Sequence, residues 1–592
     1  MRAAEMPGGL SERRFAWARL VRVLLAPLAL ALPPLFWVIE ATKRASLTTL
    51  GRDQGIFQYI AWALRRGAID YRDVHDVNGP LTHLVHFVLL ALGGADEHRF
   101  RVLDLAVTGA AFAFVGACAP GLRSRRAPSA IERVAWAFAG WVVLSGQYLL
   151  YGYWDVAQRE SFFDWFMLPS VALQIVAQGP AARLHRARLM AVVGASSVIP
   201  WFGKPTYVLF TFAQLAVVLL DADLAGSRRK ALLAFALGGL FGAITQIAFL
   251  AAFGDMRAFT HIQLVDVPAM YRFIWPRAVA DLFSEPWRGT QAILALTGAA
   301  VVAALVCVGE MPPRAVLLAL VPLCALAGVI AQAKGFPYHF HPVTSAVHMQ
   351  WVVFAAWTAE RARVAQRRWA IARLAPIAVG SLFALRVATD MEDSPYVRAV
   401  WLLWGANTPQ QRTTREYFSH FPEPDFFPYE LRQAADYLSR HTAPDDRVQS
   451  YGMDPYILFL AQRQSATPFI YAYDLNVDAA LAGGTGGRPD SAQAERIRAM
   501  REANETEMLR RLDASPPAAF VFIDSSPLFS TADAWDDFEQ HCPRVAEWMR
   551  PRFRETARFG HDHVWLRLDR APPDPGPTER EPVEEAPPPS AP

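Results

Sequence analysis

VRVLLAPLALALPPLFWVIE at residues 21–40 and GRDQGIFQYIAWALRRGAIDYRDVHDVNGP at residues 51–80 together decide how the chain reads. The first is an apolar run of the length a bilayer core demands. The second follows where that run ends and sets Asp53, Asp70, Asp73 and Asp76 in a polar loop at the mouth of a membrane protein. Carboxylates held at a bilayer surface need a cation, a proton or a hydroxyl partner. Arg13, Arg14, Arg19 and Arg22 give the first run the flank of a signal peptide. With no convincing small-residue cleavage site and FWVIEATKR as its exit, it reads as an uncleaved first helix.

Outward from this point the apolar residues, 53% of the 592, are clustered rather than periodic, which excludes an ordinary soluble enzyme. The clusters mark spans near 21–39, 102–120, 133–151, 161–178, 188–202, 206–221, 231–253, 290–309, 315–332, 342–358 and 372–388, about eleven in all. Leu81–Leu92 is short for a crossing and reads as a re-entrant or interfacial helix. Of the four cysteines, Cys118, Cys307 and Cys324 lie in apolar spans and Cys542 stands apart, so neither a disulfide framework nor a cysteine metal site is implied.

The net charge of +3 matters less than its arrangement. The N-terminal arginines, RSRR at 123–126, RLHRAR at 183–188, SRRK at 227–230 and ERARVAQRR at 360–368 all fall on one side, which the positive-inside rule makes the cytoplasm. The other face then receives the 40–100 loop, YGYWDVAQRE at 151–160, FGKP at 202–205, the 254–289 loop, QAKGFPYHFHP at 332–342 and everything after about residue 390. These alternations predict a cytoplasmic N-terminus over 1–20, a transmembrane module over 21–390, an extracytoplasmic α/β domain over 391–570 and a disordered proline- and glutamate-rich tail over 571–592. In the α/β domain, strands are expected at RVQSYG, AAFVFID and HVWLRL, and helices at ELRQAADYLSRHTAPDD and PYILFLAQRQ.

The segment RDQGIFQYIAWALRRGAIDYRDVHDVNGPL resembles the polyprenyl-phosphate-sugar-dependent glycosyltransferases of the GT-C fold, in the branch of protein O-mannosyltransferases and the lipid A aminoarabinose transferase. Members carry an Asp soon after the first span, a helix, a small-residue turn and a segment of the form Y-x-DV-x-D-x-x-GPL. QRES at 158–161, GKP at 203–205, the QAKGFPYHFHP loop and the C-terminal domain extend the likeness over most of the chain. It implies an α-helical polytopic GT-C protein of a bacterial inner membrane that moves a monosaccharide from a polyprenyl-phosphate donor to a lipid, glycan or protein acceptor on the extracytoplasmic face.

Carried onto this sequence, the resemblance makes Asp53 the general base or a metal-linked carboxylate, and gives Glu160 the place of an acid beside the metal or the substrate. Arg159, Lys204, Lys334, Tyr338 and His339 are the substrate-binding candidates, cations and imidazoles where a lipid phosphate would dock. Position 54 is Gln where many relatives have a second acid, which weakens a paired-carboxylate site for a divalent cation. The plainer readings are a helix cap for Asp53, an interfacial ion pair for Glu160 and a snorkelling cation for Lys334. His75, His83 and His86 lack the third partner that a zinc reading needs and are expected to pack at the interface, while HDH at 561–563 is expected to be a solvated turn. Nucleic-acid binding is not indicated. The rivals to the enzyme are a transporter or flippase of a lipid-linked substrate and a non-catalytic scaffold of the same fold.

Overall fold

The structure, a computed structural model, describes residues 9–121, 127–364, 374–393, 408, 410–421, 423–524, 526–529 and 531–571. The arginines at 123–126 and 365–368 and the acidic tail from 572 onward lie outside the described residues.

The first part is helical: α1 Gly9–Ala45, α2 Arg52–Arg65, α3 Pro80–Gly93, α4 Glu97–Cys118, α5 Ala130–Leu149, α6 Leu168–Gln178, α7 Arg186–Val198, α8 Val208–Leu220, α9 Arg228–Phe253, α10 Pro286–Cys307, α11 Leu317–Gln332, α12 His341–Val364 and α13 Ala375–Asp393. Every apolar segment expected to span overlaps one of these. Five helices among the described residues are long and apolar enough to cross a membrane. On α9 the side chains of Leu237, Phe241 and Ile244 are exposed, as suits a surface solvated by lipid rather than water. The chain is a multi-pass membrane protein; the count of eleven spans remains an expectation of the sequence.

Small residues let these helices approach closely, since packing rather than the hydrophobic effect joins helices in lipid. A Cβ on Gly194 of α7 would lie 2.0 Å from the Phe235 carbonyl oxygen of α9, and one on Gly238 of α9 would lie 1.8 Å from that of Ala191. The expected span at 161–178 is not one regular helix. It opens with a tight turn at Arg159–Ser161 and a π turn at Phe163–Met167 before α6 begins, an irregularity of the kind that gathers at functional sites.

The C-terminal α/β domain contains α14 Pro428–His441, α15 Tyr456–Ala461, α16 Ser491–Ala514, α17 Ala534–His541 and α18 Pro543–Met549. Its strands are β1 Arg447–Tyr451, β2 Gln464–Ser465, β3 Ala519–Ile523, β4 Phe553–Phe559 and β5 Asp562–Arg567. They form one mixed sheet in the order β2-β1-β3-β5-β4, with β1 parallel to β2 and β3, and β5 antiparallel to β3 and β4. The three expected strands are β1, β3 and β5. HDH at 561–563 is only partly a turn: Asp562 and His563 are buried in β5, because the β4–β5 hairpin packs against β3.

The amphipathic stretch DQGIFQYIAWALRRG, from Asp53 on, reads in the sequence as one whose aromatic and aliphatic residues lie in the membrane interface, and α2 departs from that expectation. Its aromatic and aliphatic side chains are buried on all sides, because the C-terminal domain closes over it. Tyr456 of α15 packs so tightly on Gly55 that an added Cβ would fall 2.4 Å from the ring. Apolar residues of α2, α3 and the sheet domain thus share one core.

Candidate functional site

Gly51 leads into α2 in an extended conformation, and its N–H donates to the Gln54 side chain at 2.8 Å. Gln54 is fully buried, and its amide nitrogen donates to the carbonyls of Tyr153 at 3.0 Å and Trp154 at 3.2 Å. Its oxygen also accepts from Arg101 at 2.6 Å. Gln54 therefore clips the 151–158 loop to the start of α2. A carboxylate here would face carbonyl oxygens with nothing to donate.

Once this clip is set, Asp53 and Arg159 line the same cavity of about 120 Å³, together with Asn78, Tyr271, Lys334 and Tyr338. The C-terminal domain supplies Met453, Tyr471 and Tyr473 to its wall. Asp53 makes no hydrogen bond or ion pair with any described residue. Burial pushes its carboxyl pKa up, against the opposing pull of Arg159 and Arg52. The Arg159 guanidinium donates to the Asn78 side-chain oxygen and, at 3.2 Å, to the Tyr338 hydroxyl. It is buried, and its nearest carboxylate, Glu160, is 4.0 Å away.

Glu160, Lys204 and His339 form a second layer behind the cavity. Glu160 is fully buried, 2.7 Å from Lys204 Nζ and 3.4 Å from His339 Nε2. Burial acts to raise the Glu160 pKa, but Lys204, His339 and Arg159 together outweigh it and hold the group at about 2. Burial and the neighbouring Lys204 pull the His339 pKa well below the usual imidazole range, with Glu160 opposing them. Lys334 reaches the cavity but its ammonium donates to the carbonyls of Tyr271 at 2.9 Å and of Ile274, tying down the 271–274 turn. All seven candidates from the sequence thus gather in one region: Asp53, Arg159, Lys334 and Tyr338 on the wall, and Glu160, Lys204 and His339 behind it.

Sequence reasoning missed Asn78, Tyr271, Tyr471 and Tyr473. The aromatic strings MYRF at 270–273 and YAYD at 471–474 were the only signal for the tyrosines, and Asn78 sits in the quoted DVNGP segment without a mark of its own. A second cavity of about 1110 Å³ shares Phe336 and Tyr338 with the first and is walled by Trp154, Trp287 and Trp351.

The histidines have partners other than zinc. His83 lies between two buried carboxylates, Nδ1 2.6 Å from Asp70 and Nε2 2.7 Å from Asp76. His86 bonds to Gln58 at 3.0 Å, and His75 lies 2.9 Å from Asp474 and 3.3 Å from Asp266. Among the described residues, one group of three ligand atoms is close enough to share a cation: Asp524, Asp533 and His563, in the C-terminal domain rather than the cavity. Its carboxylates also accept from backbone N–H groups that open α17.

No protein-family model and no curated protein sequence matches the chain. Among solved structures, it is similar to ArnT from Cupriavidus metallidurans bound to undecaprenyl phosphate, with 13% identity over 92% of this chain and 99% of that one and a TM-score of 0.47. It is also similar to the oligosaccharyltransferase of Archaeoglobus fulgidus in the apo form, with 13% identity, 86% and 69% coverage and a TM-score of 0.40.

Proposed function

We propose that the chain is a membrane glycosyltransferase that moves a monosaccharide from a polyprenyl-phosphate donor to a hydroxyl of a lipid, glycan or protein acceptor, on the extracytoplasmic face of a bacterial inner membrane. The observation that carries this reading is the shared cavity of Asp53 and Arg159. An acid that makes no hydrogen bond or ion pair with a described residue and a buried cation face one space without closing a contact between them.

In this reading the donor phosphate docks against the Arg159 guanidinium and the Tyr338 hydroxyl. Asp53 accepts the proton of the acceptor hydroxyl as that oxygen attacks the anomeric carbon. The bond from that carbon to the phosphate oxygen breaks, its electron pair leaves with the phosphate, and the configuration inverts. Arg159, with Lys204 behind it, stabilises the charge that develops on the leaving group. Lys334 holds the 271–274 turn that carries Tyr271 to the cavity. The larger cavity gives the second substrate its own room, meeting the first at Tyr338.

The divalent cation that the resemblance allows does not fit this donor set. Among the described residues Asp53 is the one carboxylate lining the small cavity, Glu160 is engaged by Lys204 and His339, and Gln54 turns amide hydrogens toward carbonyls. The test is to incubate the reconstituted protein with a panel of radiolabelled prenyl-phosphate sugars and follow label into membrane acceptors, with Asp53→Asn as the control. Label moved by the wild type and not by the variant supports the reading. Label moved by neither, from a folded protein, points to a scaffold.

A further inference from the structure

Arg159 owes its position to a chain of hydrogen bonds that begins away from the cavity. Its guanidinium donates to the side-chain oxygen of Asn78, so the Asn78 amide must be turned with oxygen toward Arg159 and nitrogen away from it. That nitrogen donates to both oxygens of Asp76, at 2.8 and 3.1 Å. Asp76 is fully buried and also accepts from His83 Nε2 at 2.7 Å and from the Tyr471 hydroxyl at 3.1 Å. His83 in turn holds Asp70 at 2.6 Å through its other nitrogen. With a carboxylate at each ring nitrogen, His83 donates from both and is an imidazolium.

The consequence lies in what a carboxylate can and cannot do. An ionised Asp76 only accepts, so the Asn78 amide has a single satisfied orientation, and that orientation presents a carbonyl oxygen to Arg159. Asp76 touches neither the cavity nor any substrate in the mechanism above. Tyr471, the one partner from the C-terminal domain, ties the same node to the docking of that domain.

We propose that Asp76 is a positioning residue: through the Asn78 amide it aims the Arg159 guanidinium at the donor phosphate, and the Tyr471 contact makes this aim complete only when the C-terminal domain is docked. The inference rests on the lipid-phosphate reading of the cavity. In Asp76→Asn the new amide brings a donor against His83 or Asn78, the Asn78 side chain turns, and its nitrogen confronts Arg159. In an Asn78→Ala background the amide that carries the effect is gone, so Asp76→Asn has nothing left to turn.

The experiment uses the full chain in detergent or nanodiscs and measures equilibrium binding of radiolabelled undecaprenyl phosphate beside thermal melting. Asp76→Asn is expected to bind roughly tenfold more weakly, the factor set by about one charge-assisted hydrogen bond. In the Asn78→Ala background, Asp76→Asn is expected to change binding by no more than about twofold. Unchanged binding in Asp76→Asn, or the same loss repeated in the Asn78→Ala background, overturns the positioning role. A wild type that does not bind undecaprenyl phosphate at all overturns the lipid-phosphate reading, and this inference falls with it.

Discussion

Arg52 and Asp454 meet at 2.7 Å, and through that ion pair the first turn of α2 is fastened to the C-terminal domain. Both side chains are buried, and Asp425 adds a second carboxylate at 3.0 Å. The next residue, Asp53, faces the cavity, so the clamp that docks the domain and the proposed base stand side by side on one helix.

Removing one member of a buried ion pair leaves the other charge uncompensated, at a cost of about 3–5 kcal/mol. Arg52→Met is therefore expected to lower the melting temperature and to expose the 428–570 segment to limited proteolysis. Sugar transfer should fall with it, although Arg52 does not line the cavity. A variant that resists protease like the wild type would show that the clamp is dispensable.

Asp53→Asn should separate chemistry from stability. Positioned general bases contribute roughly 100-fold to 10,000-fold, so transfer should drop by at least about 100-fold. The melting temperature should hold or rise, because the side chain gives up no hydrogen bond or ion pair to a described residue and sheds a charge whose burial is unfavourable. Residual transfer within tenfold of the wild type would remove Asp53 from the base role.

The pH profile of transfer follows from the same burial. Asp53 must be ionised to accept a proton, and its pKa lies above 3.8, so kcat/KM should fall as pH drops through that raised value. Glu160, held at about 2, contributes stability that is present above 4.5 and lost only as pH falls toward 2. The acid limb therefore reports Asp53: it should persist in Glu160→Gln, with its midpoint moved only downward, because the Glu160 charge helps to raise the Asp53 pKa. A limb that disappears in Glu160→Gln would reassign it.

The helical membrane part was legible in the sequence because apolar clustering needs no partner to be recognised: every expected span overlaps a helix, and only the irregular opening of 161–178 was not foreseen. The placement of α2 was not, because DQGIFQYIAWALRRG has the pattern of an interfacial helix and its cover, Tyr456, lies some four hundred residues further along. The gathering of Asp53, Glu160 and Lys334 could be inferred from topology, but their division into wall and backing could not, since it depends on which cation each acid meets. β2 and β4 went unread for similar reasons: β2 is two residues long, and β4 is half-exposed at the sheet edge.

Gln54 shows the same limit most sharply. In the sequence it reads as a missing second acid; in the structure its amide donates to carbonyls of the 151–158 loop and its oxygen accepts from Gly51 and Arg101. Gln54→Glu, the change toward the family pattern, should consequently lose stability rather than gain activity. It exchanges a buried donor for an acceptor facing acceptors, at a cost of about 1–3 kcal/mol. A lower melting temperature with slower transfer is the expected result, and a more active variant would show that the position serves a second acid after all.

His75 offers a test of domain docking on the alkaline side. It joins the first loop to Asp474 of the C-terminal domain and to Asp266. Burial alone would lower its pKa, but Asp474 and Asp266 outweigh that and raise it to about 10. A histidine whose folded pKa exceeds its unfolded value near 6.5 contributes stability that is fully present below 6.5 and is lost as pH rises through about 10. His83, between Asp70 and Asp76, is raised to about 10 as well and adds to the same slope in the wild type. The difference between wild type and His75→Gln isolates the first contribution. The gap in melting temperature should be largest at pH 6 and should close by about pH 10. A gap that is constant across this range would mean that His75 holds the domain as a neutral ring, by packing and hydrogen bonding instead of charge.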